Sequence, residues 1–416
     1  MPRSDFGRHV LTLLSGTTVA QAIPIALSPI LTRLYTPEHF GVFALYLATA
    51  SLVGVVATAR YEMAVMLPER DDDAVNLMAL AMLISLLVSL VTLVVVWLFN
   101  APITAFLGNA EVSRWLYLVP LTVLLTGVYQ TLHYWSSRKE KFGRLALSRV
   151  AQTGTATGTQ LGLGLVRAGS GGLVAGSVFG QGVATAVLGW QVWRDDRDRA
   201  AAVGGKAMLR QAKSYQDFPK INSLHALTDV VKTSGTFFLL GNLFSTATVG
   251  QYQLMTRILA APLSLVGQAI TQVFYRQASS LYNQGQDLRP VISSLLKKLA
   301  LIALVPALIL LALAPGLFAF VFGEQWRAAG EFSRLLVPYT FGHFLVSPLA
   351  YIPFIADRQL QALGFSLTGN LLYLACIVYA GGTADLSTGL LLISVVLPVY
   401  FAVYILWIFS IAKPAA

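Results

Sequence analysis

The chain has 416 residues, of which 56% are hydrophobic and only 12% charged, with a mean hydropathy of +0.67. A soluble chain would carry roughly 25% charged residues, so this composition excludes a water-soluble enzyme, a disordered protein and a nucleic-acid-binding module. The net charge of +10 then belongs in the loops of a polytopic membrane protein. A helix needs about 20 apolar residues to cross the hydrocarbon core. On that ruler twelve spans are expected, beginning near Val10, Phe40, Ala74, Trp115, Leu145, Gly172, Pro219, Thr246, Leu296, Phe332, Gln361 and Leu386. The first apolar run, residues 10–32, is too long for a signal-peptide core and has no cleavage site. Spans three, nine and twelve are nearly pure Leu, Val, Ile and Ala and are expected to face lipid. Spans one, five, seven and eight are more polar.

Charge fixes the expected orientation. With a cytoplasmic N-terminus, 21 of the 29 basic residues fall on the cytoplasmic side, from Arg3 to Lys413, with the densest set in the segment Arg194–Lys220. Five (Arg33, Arg114, Arg167, Arg327 and Arg334) fall opposite, and Arg149, Lys232 and Arg257 remain inside spans. Both termini are therefore expected in the cytoplasm. All seven tryptophans lie at or near expected span ends, as an aromatic belt would place them. The single cysteine, Cys376, offers no disulfide and no cysteine-based metal site.

The segment Leu34–Leu45 reappears as Leu243–Leu254, at an offset of 209 residues. Each copy links the first and second spans of its own six-span half. The expected fold is all-α integral membrane: two six-helix lobes, residues 1–193 and 219–416, joined by a cytoplasmic linker at 194–218. Six spans per half give both lobes the same direction, hence a pseudo-twofold axis along the membrane normal around a central cavity.

An ionisable group at mid-bilayer costs roughly 2.5–3.5 kcal/mol on insertion scales, so such groups are functional candidates by default. In span seven, Asn222, His225, Asp229, Lys232 and Thr236 follow a 3-4-3-4 spacing that puts them on one helical face. Asp229 and Lys232 are spaced to pair. Span eight carries Gln253, Arg257, Ser264, Gln268 and Thr271, and span one carries Thr17, Gln21, Pro24 and Ser28. These stripes read as cavity lining or, for the Thr, Ser and Gln positions equally well, as polar contacts between packed helices. Arg60 and Glu62 read as interface charges or as the cytoplasmic rim of the cavity. Arg149 reads as a snorkelling residue or as a cavity cation. Taken together, Arg257, Lys232, Arg60 and Arg149 against Asp229 make the cavity net positive, suited to an anionic ligand and, through the guanidinium fork, to phosphate.

Gly154, Gly158 and Gly162, and Gly172, Gly176 and Gly180, have the small-xxx-small spacing of closely packed helices. Asp71, Asp72 and Asp73 read as a solvated cap before span three rather than a metal motif. No nucleophile–base set, phosphate loop or metal-ligand spacing is present, so neither catalysis nor a cofactor is expected.

The run Ser28–Gly41, the Arg60, Tyr61, Glu62 triplet with Leu67 and Pro68, the Asp217, Phe218, Pro219 triplet, and the stretch Gly250–Pro262 resemble lipid-linked oligosaccharide (O-antigen-type) flippases. These belong to the multidrug/oligosaccharidyl-lipid/polysaccharide exporter superfamily. The resemblance implies two lobes around a cationic cavity that opens alternately to either side. It also implies translocation of undecaprenyl-pyrophosphate-linked glycans across the bacterial inner membrane, alongside other polysaccharide-assembly proteins and without nucleic acid. Arg257 matches a basic cavity position of the superfamily and Arg60 the arginine of the span-two motif. The lipid II flippase branch has fourteen spans, which sets this chain apart from it. Asp229 beside Lys232 is placed to respond to protons or Na⁺; the membrane potential, about 2.3 kcal/mol per charge per 100 mV, is the alternative driving force. A cation-coupled drug exporter of the same superfamily would favour an acidic lumen. A polysaccharide polymerase or ligase would need a periplasmic loop larger than Asn100–Arg114.

Overall fold

The computed structural model describes residues 20–413, apart from the side chains at 221, 222, 224, 225, 261–266, 268, 269 and 272. The start of the first expected span and Thr17 lie outside this range, as do the side chains of Asn222, His225 and Gln268. The described chain is all-α. Its main helices are α1 (Ser28–Leu34), α2 (Pro37–Gly54), α3 (Asp71–Leu107), α4 (Val119–Arg138), α5 (Phe142–Leu165) and α6 (Ser170–Asp196), followed by α7 (Ser223–Leu243), α8 (Thr246–Asn283), α9 (Arg289–Phe322), α10 (Arg327–Val346), α11 (Gln359–Thr383) and α12 (Leu386–Ile411). Among the described residues, seven helical stretches are long and apolar enough to cross a membrane, those containing α3, α4, α6, α9, α10, α11 and α12. Helices α2, α5, α7 and α8 occupy the positions of expected spans two, five, seven and eight and are not among those seven. In α3, α9 and α12 whole runs of large apolar side chains, such as Leu86–Leu87, Leu301–Ile302 and Val395 with Val399, are exposed. In a bilayer that is lipid-facing surface.

The chain divides into two compact units, Met1–Gly250 and Gln251–Ala416. In the first, α5 packs along α6, and Gly176 and Gly180 are the reason the two can approach. A Cβ on Gly176 would lie 2.7 Å from the Ala156 carbonyl, and one on Gly180 2.7 Å from that of Gln152. The other glycine series behaves differently. Gly154, Gly158 and Gly162 face open space, so the small-xxx-small reading holds on α6 and fails on α5.

The repeat has a local structural counterpart inside the first unit. Thr36 caps α2, its Oγ1 accepting from His39 N at 3.4 Å while His39 Nδ1 accepts from Thr36 N at 3.3 Å. At the equivalent position Ser245 Oγ accepts from Thr248 N at 3.2 Å, and α8 begins one residue later. The two helix starts then meet reciprocally. A Cβ on Gly41 would lie 2.0 Å from the Thr246 carbonyl, and one on Gly250 would lie 1.8 Å from that of Pro37. Pro37 and Thr246, like Gly41 and Gly250, are 209 residues apart, so the contact is isologous, the signature of a local twofold.

At one end of this unit the linker is tied down by charge. Asp71, Asp72 and Asp73 form the first turn of α3, where carboxylates favour the helix dipole, but they are not merely solvated. Asp71 pairs with Arg138 at 3.1 Å and with Lys139, Asp72 with Arg199 at 3.4 Å, and Asp73 with Arg210 at 3.2 Å. Arg138 also donates to the carbonyls of Val65, Met66 and Glu69. Arg144 reaches Asp195 at 2.7 Å and Asp196 at 3.1 Å. The expected aromatic belt needs correction here. Trp97, Trp190 and Trp193 are exposed, but Trp135 and Trp326 are fully buried. Trp135 sits in the core with Leu132 and Leu188 because its indole N–H finds Asp196 at 3.1 Å, which removes the reason to stay at an interface.

In the second unit, Phe274, Ala278, Leu288, Ile292, Leu349, Ile352, Ile408 and Ala412 form a buried cluster that joins the end of α8 to the start of α9 and the end of α12. Helix α12 starts at Asp385, whose carboxylate accepts from Ser387 N at 3.0 Å and Thr388 Oγ1 at 3.1 Å.

The reciprocal contact predicts that Gly41→Ala and Gly250→Ala each lower stability by about 1–3 kcal/mol through overpacking, while Gly154→Ala, facing open space, leaves it nearly unchanged. Unfolding in detergent measures all three. The Asp385 cap has a pH signature. The bond from Ser387 N, above all, holds its carboxyl below the usual carboxylate range. A depressed value contributes stability above the unfolded pKa of about 3.9 and loses it as the pH falls through the folded value. The acid-side loss of melting temperature should therefore shrink in Asp385→Asn, which caps without titrating, whereas Asp385→Ala should lose about 1 kcal/mol at neutral pH.

Candidate functional site

Helix α2 ends at Gly54, and the chain then turns rather than continuing. Ala59 and Arg60 both adopt left-handed backbone, with φ of 49° and 62°, a conformation that costs roughly 1–2 kcal/mol for a residue with a Cβ. Tyr61 N bonding to Thr58 O at 3.1 Å fixes the turn. Thr58 Oγ1 also donates to the Glu62 carboxylate, which is 1% exposed. Glu62 in turn accepts from Arg60 at 3.5 Å. Tyr61 points the other way, its hydroxyl donating to the Ala212 carbonyl of the linker at 3.0 Å. The turn thus sorts three consecutive side chains to three destinations. Arg60 Nε is buried and, among the described residues, has no hydrogen-bond partner.

Arg60 and Glu62 open onto a cleft of about 280 Å³ in the first unit, lined also by Thr126, Tyr129, Gln130, His133 and Tyr134 of α4, Arg149 of α5 and Gln181 of α6. The α4 residues are spaced at i, i+3, i+4, i+7 and i+8, one helical face. Arg149 is fixed by a chain of amides. It donates to Gln152 Oε1 at 3.5 Å, Gln152 donates to Gln181 at 2.5 Å, and Gln181 donates to the Leu125 carbonyl at 3.5 Å. Tyr129 and Ser148 share a hydrogen bond at 3.3 Å. Two guanidiniums against one carboxylate leave the cleft net positive. Its chemistry is that of an anion site with amide and phenol donors around it and no nucleophile–base pair.

The structure therefore brings together three of the sequence-derived candidates: Arg60, Glu62 and Arg149. The other candidates whose side chains are described lie elsewhere. On α7, Asp229 is exposed and Lys232 half-buried. Among the described residues no ion pair of Asp229 is present. Thr236 is buried and donates to the Lys232 carbonyl at 2.8 Å. Gln21 is half-buried in the helical stretch before α1. Arg257 and Gln253 belong to the second unit, one turn apart on α8; Arg257 is half-buried, and Gln253 Oε1 is buried without a hydrogen-bond partner among the described residues. The α4 face was missed at the sequence level, although Thr126, Gln130 and His133 repeat the spacing that marked spans seven and eight. Among the described residues no cluster suited to a metal ion is present.

The family model described as "Polysaccharide biosynthesis protein" matches residues 30–331, which is most of the chain and includes the whole cleft. The chain belongs to this polysaccharide biosynthesis family. No curated protein matches it. Among solved structures, the lipid II flippase MurJ in an inward closed conformation is similar to this family member with a TM-score of 0.73 at 11% identity, covering 95% of this chain and 87% of MurJ. An inward-facing multidrug resistance MATE transporter of the MOP superfamily gives 0.59 at 12%, covering 96% and 95%. A MOP superfamily transporter from Pyrococcus furiosus, described as having a binding pocket of reverse polarity, gives 0.57 at 14%, covering 97% and 96%. At such identities the likeness is one of fold, and the fold is that of MOP superfamily transporters.

Removing the Thr58 hydroxyl tests how the cleft is held. Thr58→Val leaves the buried Glu62 carboxylate short of a donor and should cost about 1–3 kcal/mol, whereas Thr58→Ser should stay near wild type in the same melt.

Proposed function

We propose that the chain is a flippase for lipid-linked oligosaccharides. In this reading it moves undecaprenyl-pyrophosphate-linked repeat units of an O-antigen or other surface polysaccharide, such as that of lipopolysaccharide, across the bacterial inner membrane by alternating access. Both termini are cytoplasmic, residues 1–193 and 219–416 act as two six-span lobes, and 194–218 links them. The observation that carries the proposal is the net-positive cleft of Arg60 and Arg149 inside a membrane-embedded, all-α member of a polysaccharide biosynthesis family. A pyrophosphate arriving there meets two guanidiniums, one of them with a buried, unmatched Nε–H. The amides and phenols of Gln130, Gln181, Tyr129 and Tyr134 are suited to sugar hydroxyls. Arg257 and Lys232 are assigned to the anion from the sequence pattern, as cations inside spans eight and seven, and Asn222, His225, Gln21, Gln253 and Gln268 to polar lining. Driving force comes from the membrane potential acting on the anion, or from proton or Na⁺ coupling at Asp229.

The buried Glu62 favours a second reading, a cation-coupled drug exporter, since a carboxylate sheltered from water is what a cationic cargo or coupling ion requires. Its pairing with Arg60 weighs against this.

A deletion strain separates the two. Lipid-linked repeat units should accumulate on the cytoplasmic face and surface polysaccharide should be lost. Normal surface glycan with raised drug susceptibility would replace the flippase reading with the exporter one. In complemented strains, Arg257→Ala and Arg149→Ala should each cut glycan export by roughly 10–100-fold, the loss of one charged hydrogen-bond donor, with partial retention in the corresponding lysine variants. Full activity in all of them would end the proposed role of these arginines.

A further inference from the structure

A second groove lies in the unit Gln251–Ala416, between the end of α8 and the start of α9. Its volume is about 570 Å³. Helix α8 contributes Ile270, Val273, Phe274 and Gln277, spaced i, i+3, i+4 and i+7, and α9 contributes Pro290, Val291, Ser294, Leu295 and Lys298. Each set is one helical face, and the short connection between the helices sets them antiparallel. The floor is firm, because Phe274 is packed in the buried cluster with Leu288 and Ile292. The outer wall is open and apolar: Val273 is 70% exposed.

The sequence of α9 fixes the depth of this groove. From Leu299 to Phe322 the helix has no charged residue, a run that at 1.5 Å per residue extends roughly 36 Å, enough to cross the hydrocarbon core of about 30 Å. Lys298 is therefore the last charge before hydrocarbon, and the groove sits at the junction of headgroups and acyl chains. Its lining runs from apolar at Ile270 to polar at Gln277. No carboxylate lines it; the nearby Asp287 is engaged with Arg289 at 4.0 Å. Arg276 and Arg289, next in sequence to the lining residues Gln277 and Pro290, are exposed, so the local potential is positive.

We propose that this groove is a binding site for an anionic phospholipid of the bilayer. The lipid phosphate is held by the Lys298 ammonium, which snorkels outward along α9. Ser294 Oγ and the Gln277 amide serve the polar headgroup, and the first methylenes of an acyl chain follow Ile270, Val273 and Leu295. Basic pockets between membrane helices bind anionic headgroups on this principle. A bulk phospholipid fits better than a polyprenyl carrier, because the site offers one point charge rather than a guanidinium fork and a groove long enough only for a headgroup and the start of a chain.

The test is native mass spectrometry of the full chain in detergent, titrated separately with phosphatidylglycerol, phosphatidylethanolamine and a polyprenyl phosphate. The wild type should retain phosphatidylglycerol over phosphatidylethanolamine. Lys298→Gln should weaken that retention roughly fivefold, the effect of one lysine at a membrane surface, and Val291→Trp, which fills the groove without altering charge, should also weaken it. Lys297→Gln, outside the lining, should leave it unchanged. Equal losses in the Lys297 and Lys298 variants would reduce the effect to diffuse surface charge and overturn the site. So would equal retention of phosphatidylethanolamine, or sensitivity to Lys298 shown by the polyprenyl phosphate alone. Glycan export by Lys298→Gln is a separate readout, so failure here leaves the flippase reading standing.

Discussion

Hydrocarbon offers no bonding partner to a charge or a polar backbone group, and every notable feature of this chain answers to that constraint. Regular helix satisfies the backbone internally, which is why the described residues are all-α. The turn after Gly54, which carries the charged Arg60 and Glu62, is hydrogen-bonded at almost every step: Thr58 to Glu62, Arg60 to Glu62, Tyr61 to the linker. Two left-handed residues in succession persist there because the surrounding bonds over-determine them. Of these groups Arg60 and Glu62 open onto one cleft, and the amide chain from Arg149 to the Leu125 carbonyl holds a further part of its lining.

Charges outside the hydrocarbon do different work. Asp71, Asp72 and Asp73 gather arginines from α4 and from the linker, so the segment that crosses between repeats is fastened to the start of α3. Because Tyr61 also grips the linker, the backbone that presents Arg60 is connected through one hydrogen bond to a segment more than 150 residues later in the chain. The linker is thereby part of the support of the cleft as well as a connection.

Much of this was legible in the sequence because its physics is one-dimensional. Length and apolar content place α3, α9 and α12, and their exposed Leu and Val runs are where lipid-facing helices put them. The 209-residue offset is also a one-dimensional signal, and it led to the reciprocal approach of Gly41 and Gly250. What stayed hidden depends on which way a helix faces. Gly154, Gly158 and Gly162 have the same spacing as Gly172, Gly176 and Gly180, yet only the second series meets a neighbour. Trp135 looks like an interface residue until Asp196 is seen above it. His133 and Gln130 were passed over because α4 is apolar enough to read as an ordinary span, and its polar face becomes visible only when Arg60 and Arg149 are placed opposite.

The twofold contact at the starts of α2 and α8 has a consequence for how such a protein can diverge. After a duplication each half can accumulate substitutions independently wherever its side chains face only its own surroundings or lipid. At this contact they cannot, because a side chain gained by either glycine would strike the main chain of the other copy. Two positions 209 residues apart are consequently under one shared restraint, whatever cargo the two halves come to carry. The likeness of these two segments is then expected to outlast the rest of the internal similarity, as a matter of main-chain geometry and independently of any residue that touches a ligand.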